Sequence, residues 1–163
     1  MYVQSDPRSN LSNAAKPGGT KVHNSYFGSQ LALFYETAPQ IADANGDTWI
    51  SRGQNFVVAY SNATEGGIFS RRSQPDEYAL IIPDKETSVE ITTAEGATVV
   101  PGYSVAFVPP GDSSIRVSTG GSVVRLFTPK SEDLAGAASN ADAFLGEHPN
   151  VPPSKRGRSR PAG

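Results

Sequence analysis

Between residues 48 and 128 the chain is cut into short apolar runs by Gly, Pro, Asn and Asp, at intervals too brief for a helix to develop. That rhythm constrains the fold more than any other feature. Strands are expected at residues 48–51, 55–61, 67–71, 77–82, 88–92, 97–100, 104–109, 114–118 and 122–128. Short strands at regular spacing, with no helical pattern between them, build an antiparallel sandwich or barrel. Asn45-Gly46-Asp47 reads as a tight turn that hands an N-terminal arm over to the compact part, and Thr119-Gly120-Gly121-Ser122 as the clearest hairpin. A chain of 163 residues, 37% of them hydrophobic, is long enough to bury one core of its own.

The faces of the strands carry a second message. A sheet with one wet face alternates apolar and polar residues, yet Phe56-Val57-Val58-Ala59-Tyr60 and Tyr78-Ala79-Leu80-Ile81-Ile82 are apolar on both faces. A cover is therefore expected over the outside: the aromatic arm, residues 131–147, or a second polypeptide. The arm, residues 1–46, starts rich in Ser, Asn, Gly and Pro, then gathers Tyr26, Phe27, Leu31, Leu33, Phe34 and Tyr35, a cluster too apolar to be left in water. It either closes one end of its own barrel or docks on another chain. A partner interface would draw on Tyr26, Phe27, Leu31, Phe34, Tyr35 and Tyr78. Arg116 and Arg125 lie on strands that alternate more regularly and are expected to face solvent; the alternative is an Arg pair inside the barrel mouth that holds a carboxylate or phosphate. Beyond the strand region of residues 47–129, Ser131 followed by Glu132 and Asp133 is a helix start, with Leu134, Ala138, Ala141 and Leu145 at helical spacing. A short helical segment is expected within residues 130–150, ending near Gly146.

The chain has two His, His23 and His148, and no Cys. Neither His lies in the strand run, so a zinc or iron site with the usual His or Cys ligands cannot be built within one chain. No P-loop, Gly-x-Gly-x-x-Gly, Ser nucleophile elbow or internal repeat is present. The formal net charge is −2, unevenly placed: Lys155, Arg156, Arg158 and Arg160 sit in the last nine residues with no acid among them, leaving 10 basic and 16 acidic residues before them. Residues 151–163 read as a disordered, solvated basic tail, and neither nucleic acid nor membrane is an expected partner. There is no apolar run of membrane-spanning length. The first residues have neither a basic start nor an apolar run, so a cytoplasmic location is expected.

Two stretches resemble the signature motifs of the cupin superfamily. The first is Arg71-Arg72-Ser73-Gln74-Pro75-Asp76-Glu77-Tyr78, running into Ala79-Leu80-Ile81-Ile82-Pro83-Asp84; the second is Gly102-Tyr103-Ser104-Val105-Ala106-Phe107-Val108-Pro109-Pro110-Gly111-Asp112-Ser113-Ser114-Ile115. In that family the first motif carries two His one residue apart and then a Glu, and the second a Pro-x-Gly turn followed by a third His. Glu77 matches the Glu and Pro109-Pro110-Gly111 the turn. The His positions fall on Arg71 and Ser73, or on Ser70 and Arg72 if the loop is one residue longer, and the third falls on Ser114. The second motif also carries one residue too many between Gly102 and Pro109. The resemblance implies an antiparallel cupin-type β-barrel, a jelly-roll sandwich, with an extended N-terminal arm and a short C-terminal helix. It implies degenerate metal positions at Arg71, Ser73, Glu77 and Ser114, and no metal in this chain. Glu77 is expected to be paired with the arginines beside it rather than catalytic.

The arm, the stretch Trp49-Ile50-Ser51-Arg52-Gly53-Gln54-Asn55-Phe56-Val57-Val58 and the loop Gln74-Pro75-Asp76-Glu77-Tyr78 further resemble the small subunit of two-component hydroquinone 1,2-dioxygenases over roughly residues 20–150. That resemblance implies a heterotetramer of two small and two large cupin subunits serving the degradation of aromatic compounds. The larger partner would hold Fe(II) and open hydroquinone to 4-hydroxymuconic semialdehyde, while this chain stays non-catalytic. Two alternatives belong to other classes. A metal-free cupin enzyme such as a sugar-nucleotide epimerase would want a His base inside the barrel, and no strand supplies one. A small-ligand binding module would use Arg71, Arg72 and Glu77 as its pocket.

Overall fold

A computed structural model describes residues 31–143. His23, Tyr26, Phe27, Leu145, His148 and the basic tail lie outside the described residues. Within them the elements run β1 (Ile41–Asp43), β2 (Gly46–Arg52), β3 (Val57–Ala63), β4 (Ile68–Gln74), β5 (Tyr78–Ile82), β6 (Val89–Thr93), β7 (Gly96–Val100), β8 (Ser104–Val108), β9 (Gly111–Val117), β10 (Gly121–Phe127) and α1 (Glu132–Ala137). All nine expected strands form, and β1 is the addition. Three residues are too few to display an alternation; β1 exists because Ala44-Asn45 turns the chain until Asp43 faces Gly46. Gly46 has φ +120°, and a Cβ there would lie 2.2 Å from the Asn62 carbonyl oxygen, so glycine is what lets β2 start against β3.

The strands form two antiparallel sheets, one in the order β1-β2-β3-β10-β5-β8 and the other β4-β9-β6-β7. Strand β10 sits between β3 and β5 and pairs with both. The expected hairpin at residues 119–122 is therefore not one: β9 and β10 belong to different sheets, and the Gly pair carries the chain across. Gly120 and Gly121 have φ of +72° and +113°, and a Cβ on Gly121 would stand 2.2 Å from Thr87 Oγ1. A turn signal fixes a change of direction; which strand the chain pairs with next is set by distant contacts.

Between the sheets the core is filled by Ile50, Val57, Leu80, Val123 and Phe127 from the larger sheet and by Phe69, Val89, Ile91, Ile115 and Val117 from the smaller. Burial of each such side chain contributes about 1.5–3 kcal/mol. Helix α1 is shorter than its spacing suggested. Ala138 turns extended, with φ −60° and ψ 142°, and Ser139 N donates to Ile50 O at 2.8 Å. The chain leaves the helix to run along the exposed edge of β2. There Asn140 takes the Arg52 amide at 2.8 Å and donates to the Arg52 carbonyl at 2.9 Å, while Gln40 Oε1 accepts the Ile50 amide at 2.7 Å. These groups finish the edge that the short β1 leaves open, which suppresses pairing with foreign strands.

The strands with two apolar faces have a structural account. The register lines up Trp49, Tyr60, Val124, Ile81 and Val105 in one row across the outer face of the larger sheet. Phe34 covers one end of the row, stacked on Tyr60 with centroids 4.9 Å apart, and Trp49 Nε1 donates to Thr37 O at 2.8 Å. At the other end Val105 is 57% exposed and its β8 neighbour Phe107 72%. The described part of the aromatic segment, from residue 31 on, therefore caps the β2–β3 side of its own sheet.

Candidate functional site

A bulge in β4 decides which side chains enter the barrel. Arg71 pairs with Ser113 and Gln74 with Gly111, so three steps on β4 answer two on β9. The extra residue is accommodated at Ser73, whose φ is +48° and whose amide donates to Asp112 Oδ1 at 2.7 Å. Arg71 and Gln74 both turn toward the interior, while Arg72 and Ser73 are exposed. Arg71 and Ser73, one residue apart, would share a face on a regular strand, and the bulge separates them. Ser114 lies on the face of β9 opposite the buried Ser113 and Ile115, and Glu77 is exposed. Of the four degenerate positions, Arg71 alone points inward. Of the suggested pocket, Arg71 and Arg72 line one cleft, with Pro75 and Lys130, and Glu77 is not part of its lining.

Arg71 is instead paired with Asp133 of α1, Nη1 donating to Oδ2 at 2.6 Å and Nη2 to Oδ1 at 2.9 Å. Its Nε donates to Gln74 Oε1 at 2.9 Å, and Gln74 Nε2 donates to Ser131 Oγ at 2.9 Å. Ser131 begins α1 without capping it because its hydroxyl is engaged by Gln74. Beneath this network Tyr78 OH meets Ser113 Oγ at 3.0 Å, and the Tyr78 and Phe127 rings stack at 4.7 Å. Tyr78 is 2% exposed, which removes it from the candidate partner interface. Burial pushes its phenol pKa up, so it remains protonated at neutral pH.

The hydrogen bond from Arg71 holds the Asp133 carboxyl below the usual carboxylate range. The folded state then binds fewer protons than the unfolded chain in acid. The resulting stabilisation is complete above the unfolded carboxyl pKa, about 4, and is lost as pH falls through the lower folded value. Urea unfolding of Asp133→Asn is expected to show a shallower loss of stability in acid than the wild type. Unchanged acid sensitivity would mean that solvent screens the pair.

A second centre lies deeper. Arg125 was expected in solvent and is 7% exposed, whereas Arg116 is exposed as expected. On β10 the inward positions are 123, 125 and 127, and Val123 and Phe127 anchor that parity in the core. Arg125 Nη2 donates to Ser61 Oγ at 2.9 Å, Ser61 Oγ and Thr48 Oγ1 are 2.7 Å apart, and the guanidinium lies 4.3 Å from the Phe69 ring centroid. Burial lowers its pKa to about 10, which still leaves it charged at neutral pH. A divalent cation does not fit this interior. Among the described residues no three His, Cys, Asp or Glu converge, and two guanidinium groups occupy the space instead. No helix among the described residues is long and apolar enough to cross a membrane.

No protein-family model and no curated protein matches the sequence. Solved structures do match the fold. An RmlC-like cupin from Shewanella frigidimarina superposes with TM-score 0.52 at 16% identity, covering 65% of this chain and 96% of that one. KdgF from a Halomonas species superposes with TM-score 0.52 at 12% identity, covering 65% and 98%. With two antiparallel sheets facing each other across a single core, and these structures laid over it, the chain has the cupin fold.

Proposed function

We propose that this chain is the non-catalytic small subunit of an Fe(II)-dependent ring-cleaving hydroquinone 1,2-dioxygenase, stabilising and shaping a larger iron-bearing cupin subunit. One observation carries the reading. The last strand of each sheet, β7 and β8, follows directly in sequence and has a partner on one side only among the described residues. Along that side Val99, Tyr103, Val105 and Phe107 are 68%, 75%, 57% and 72% exposed. In the larger sheet the opposite edge is finished by Gln40, Ser139 and Asn140, whereas no described residue finishes the edge at β8. Burial of four such side chains would supply several kcal/mol, the kind of apolar content an obligate interface has. The chain's two His and absence of Cys, too few for the usual imidazole or thiolate ligand set, support a division of labour in which the metal chemistry belongs to the partner.

The test is co-expression with the neighbouring reading frame, if that frame encodes a chain of about twice this size, followed by purification, metal analysis and a hydroquinone assay. The expected result is a stable complex that contains iron and turns over, together with an isolated small chain that does neither. Phe107→Asp should dissociate the complex while leaving the small chain folded, since an exposed position tolerates substitution within about 0.5 kcal/mol. Tightly bound iron or turnover in the isolated chain would defeat the proposal.

A further inference from the structure

Strands β7 and β8 end their respective sheets, and between them lies a groove of about 320 Å³. Ile91, Val100, Ala106 and Phe107 give it an apolar wall, and Glu95, in the turn between β6 and β7, is the one charged residue of its lining among the described residues. Glu95 is exposed and its carboxylate has no partner there; only its amide is engaged, donating to Thr93 Oγ1 at 3.2 Å. Its surroundings carry the same sign. From Glu77 to Asp112 the chain has six acids, Glu77, Asp84, Glu86, Glu90, Glu95 and Asp112, against the single base Lys85. Arg116 stands opposite Glu90 on β9, and Arg72 shares a cleft with Thr93 and Ala94, so six acids face three bases and the balance stays at −3.

We propose that the groove receives an arginine side chain from a partner protein, its methylenes along Ile91, Val100 and Ala106 and its guanidinium between the Glu95 carboxylate and the Phe107 ring. That the larger subunit supplies this arginine rests on the reading given above. A carboxylate accepts two parallel hydrogen bonds from a guanidinium, and the Phe107 ring, 72% exposed, is open to stacking by the same group. The stem of an arginine covers apolar surface while its head stays polar. A lysine head is a compact, strongly hydrated charge and forgoes both the fork and the stacking. A second copy of this chain does not fit. A twofold dimer sets the same patch against itself, so acids would meet acids, a juxtaposition that costs affinity. Apolar surface within an acidic surround thus selects a basic partner and keeps copies of the chain apart.

The experiment has two arms. In the first, the full ¹⁵N-labelled chain alone is titrated with acetyl-Val-Arg-Val-amide and with its Leu- and Glu-centred counterparts. The Arg peptide should move the amides of residues 95–98 and 106–107 saturably, the Leu peptide should bind about three- to tenfold more weakly, and the Glu peptide should not bind. Glu95→Gln, a change at an exposed position, should erase the difference between Arg and Leu. No saturable shift at millimolar Arg peptide, equal binding of the Arg and Leu peptides, or the same shifts from the Glu peptide would overturn the site. Concentration-dependent shifts of these amides without any peptide would mean that a second copy occupies the groove, and would overturn it too. In the second arm, Glu95→Gln in the co-expressed complex should weaken association by about tenfold and flatten its dependence on salt. A complex that Phe107→Asp dissolves and Glu95→Gln leaves unchanged would refute the arginine and keep the larger subunit. No complex, with the peptide discrimination intact, would refute the larger subunit and keep the groove.

Discussion

Phe127→Ala is expected to lower stability by about 3–5 kcal/mol, the range for deleting a buried aromatic ring. Phe127 is 2% exposed near the C-terminal end of β10, stacked on Tyr78 at 4.7 Å and 5.3 Å beneath the Arg71 guanidinium. The ring is thus a floor shared by the hydrophobic core and the Arg71–Asp133 network. Removing it leaves a cavity that β10 cannot close by shifting, because β3 holds it along its length and β5 pairs with its centre. A domain of this size is stable by only about 5–15 kcal/mol, so roughly a fifth or more of the total is at stake. Chemical unfolding at neutral pH measures it. A loss below about 1 kcal/mol would show that the surrounding side chains collapse into the space, and the rigidity assigned to this region would be wrong.

Two residues earlier on the same face, Arg125→Met is expected to move stability the other way, by about 1–3 kcal/mol. The folded-state pKa of about 10 lies well below that of a free guanidinium, so burial disfavours the charged form by roughly 3 kcal/mol. The unfolded chain binds more protons than the folded one between those two values. The penalty is therefore present in full below about pH 10 and is relieved as pH rises through that value. Methionine removes the charge while keeping contact with the Phe69 ring through its sulfur. Ser61 is not orphaned, because its hydroxyl still pairs with Thr48. Replacing a buried charge by an apolar residue of similar length is often neutral or stabilising. A fall of the melting temperature in Arg125→Met would mean that the guanidinium bonds outweigh its desolvation. A rise would mark Arg125 as a residue kept at the expense of stability, as residues that bind ligands commonly are.

The strand pattern was legible because it depends on local periodicity and turn residues. β4, β5 and β9 all form close to their expected places, and the alternation Val57, Ala59, Ser61 reads directly onto the inner face of β3. What failed to show was anything decided by distant pairing. Gly120-Gly121 has the composition of a hairpin and leads between sheets; the helix signal after Ser131 runs past Ala138, where contact with β2 takes over. The sites were less legible than the strands for the same reason. Arg71 was singled out, but its partners Gln74 and Asp133 depend on a bulge at Ser73 and on a helix 62 positions away. Arg125 was assigned to solvent together with Arg116 on the regular alternation of their strands, but on β10 both Val123-Arg125-Phe127 and Val124-Leu126 could face a core, and the packing of Val123 and Phe127 chooses between them. A charged residue flanked at two-residue spacing by a Val and a Phe was the available signal.

The central place of β10 has a consequence for how the chain is made. Its partners β3 and β5 are separated by one gap in the larger sheet, and the strand that fills the gap begins only at Gly121. Until the ribosome has released that segment, β3 and β5 each present an unsatisfied edge, and no hydrogen-bonded path joins β2 to β8. Folding must then wait for a pairing that spans about 60 positions, which places this protein among the slow, topologically complex folders and leaves its nascent chain dependent on protection from self-association until β10 has emerged.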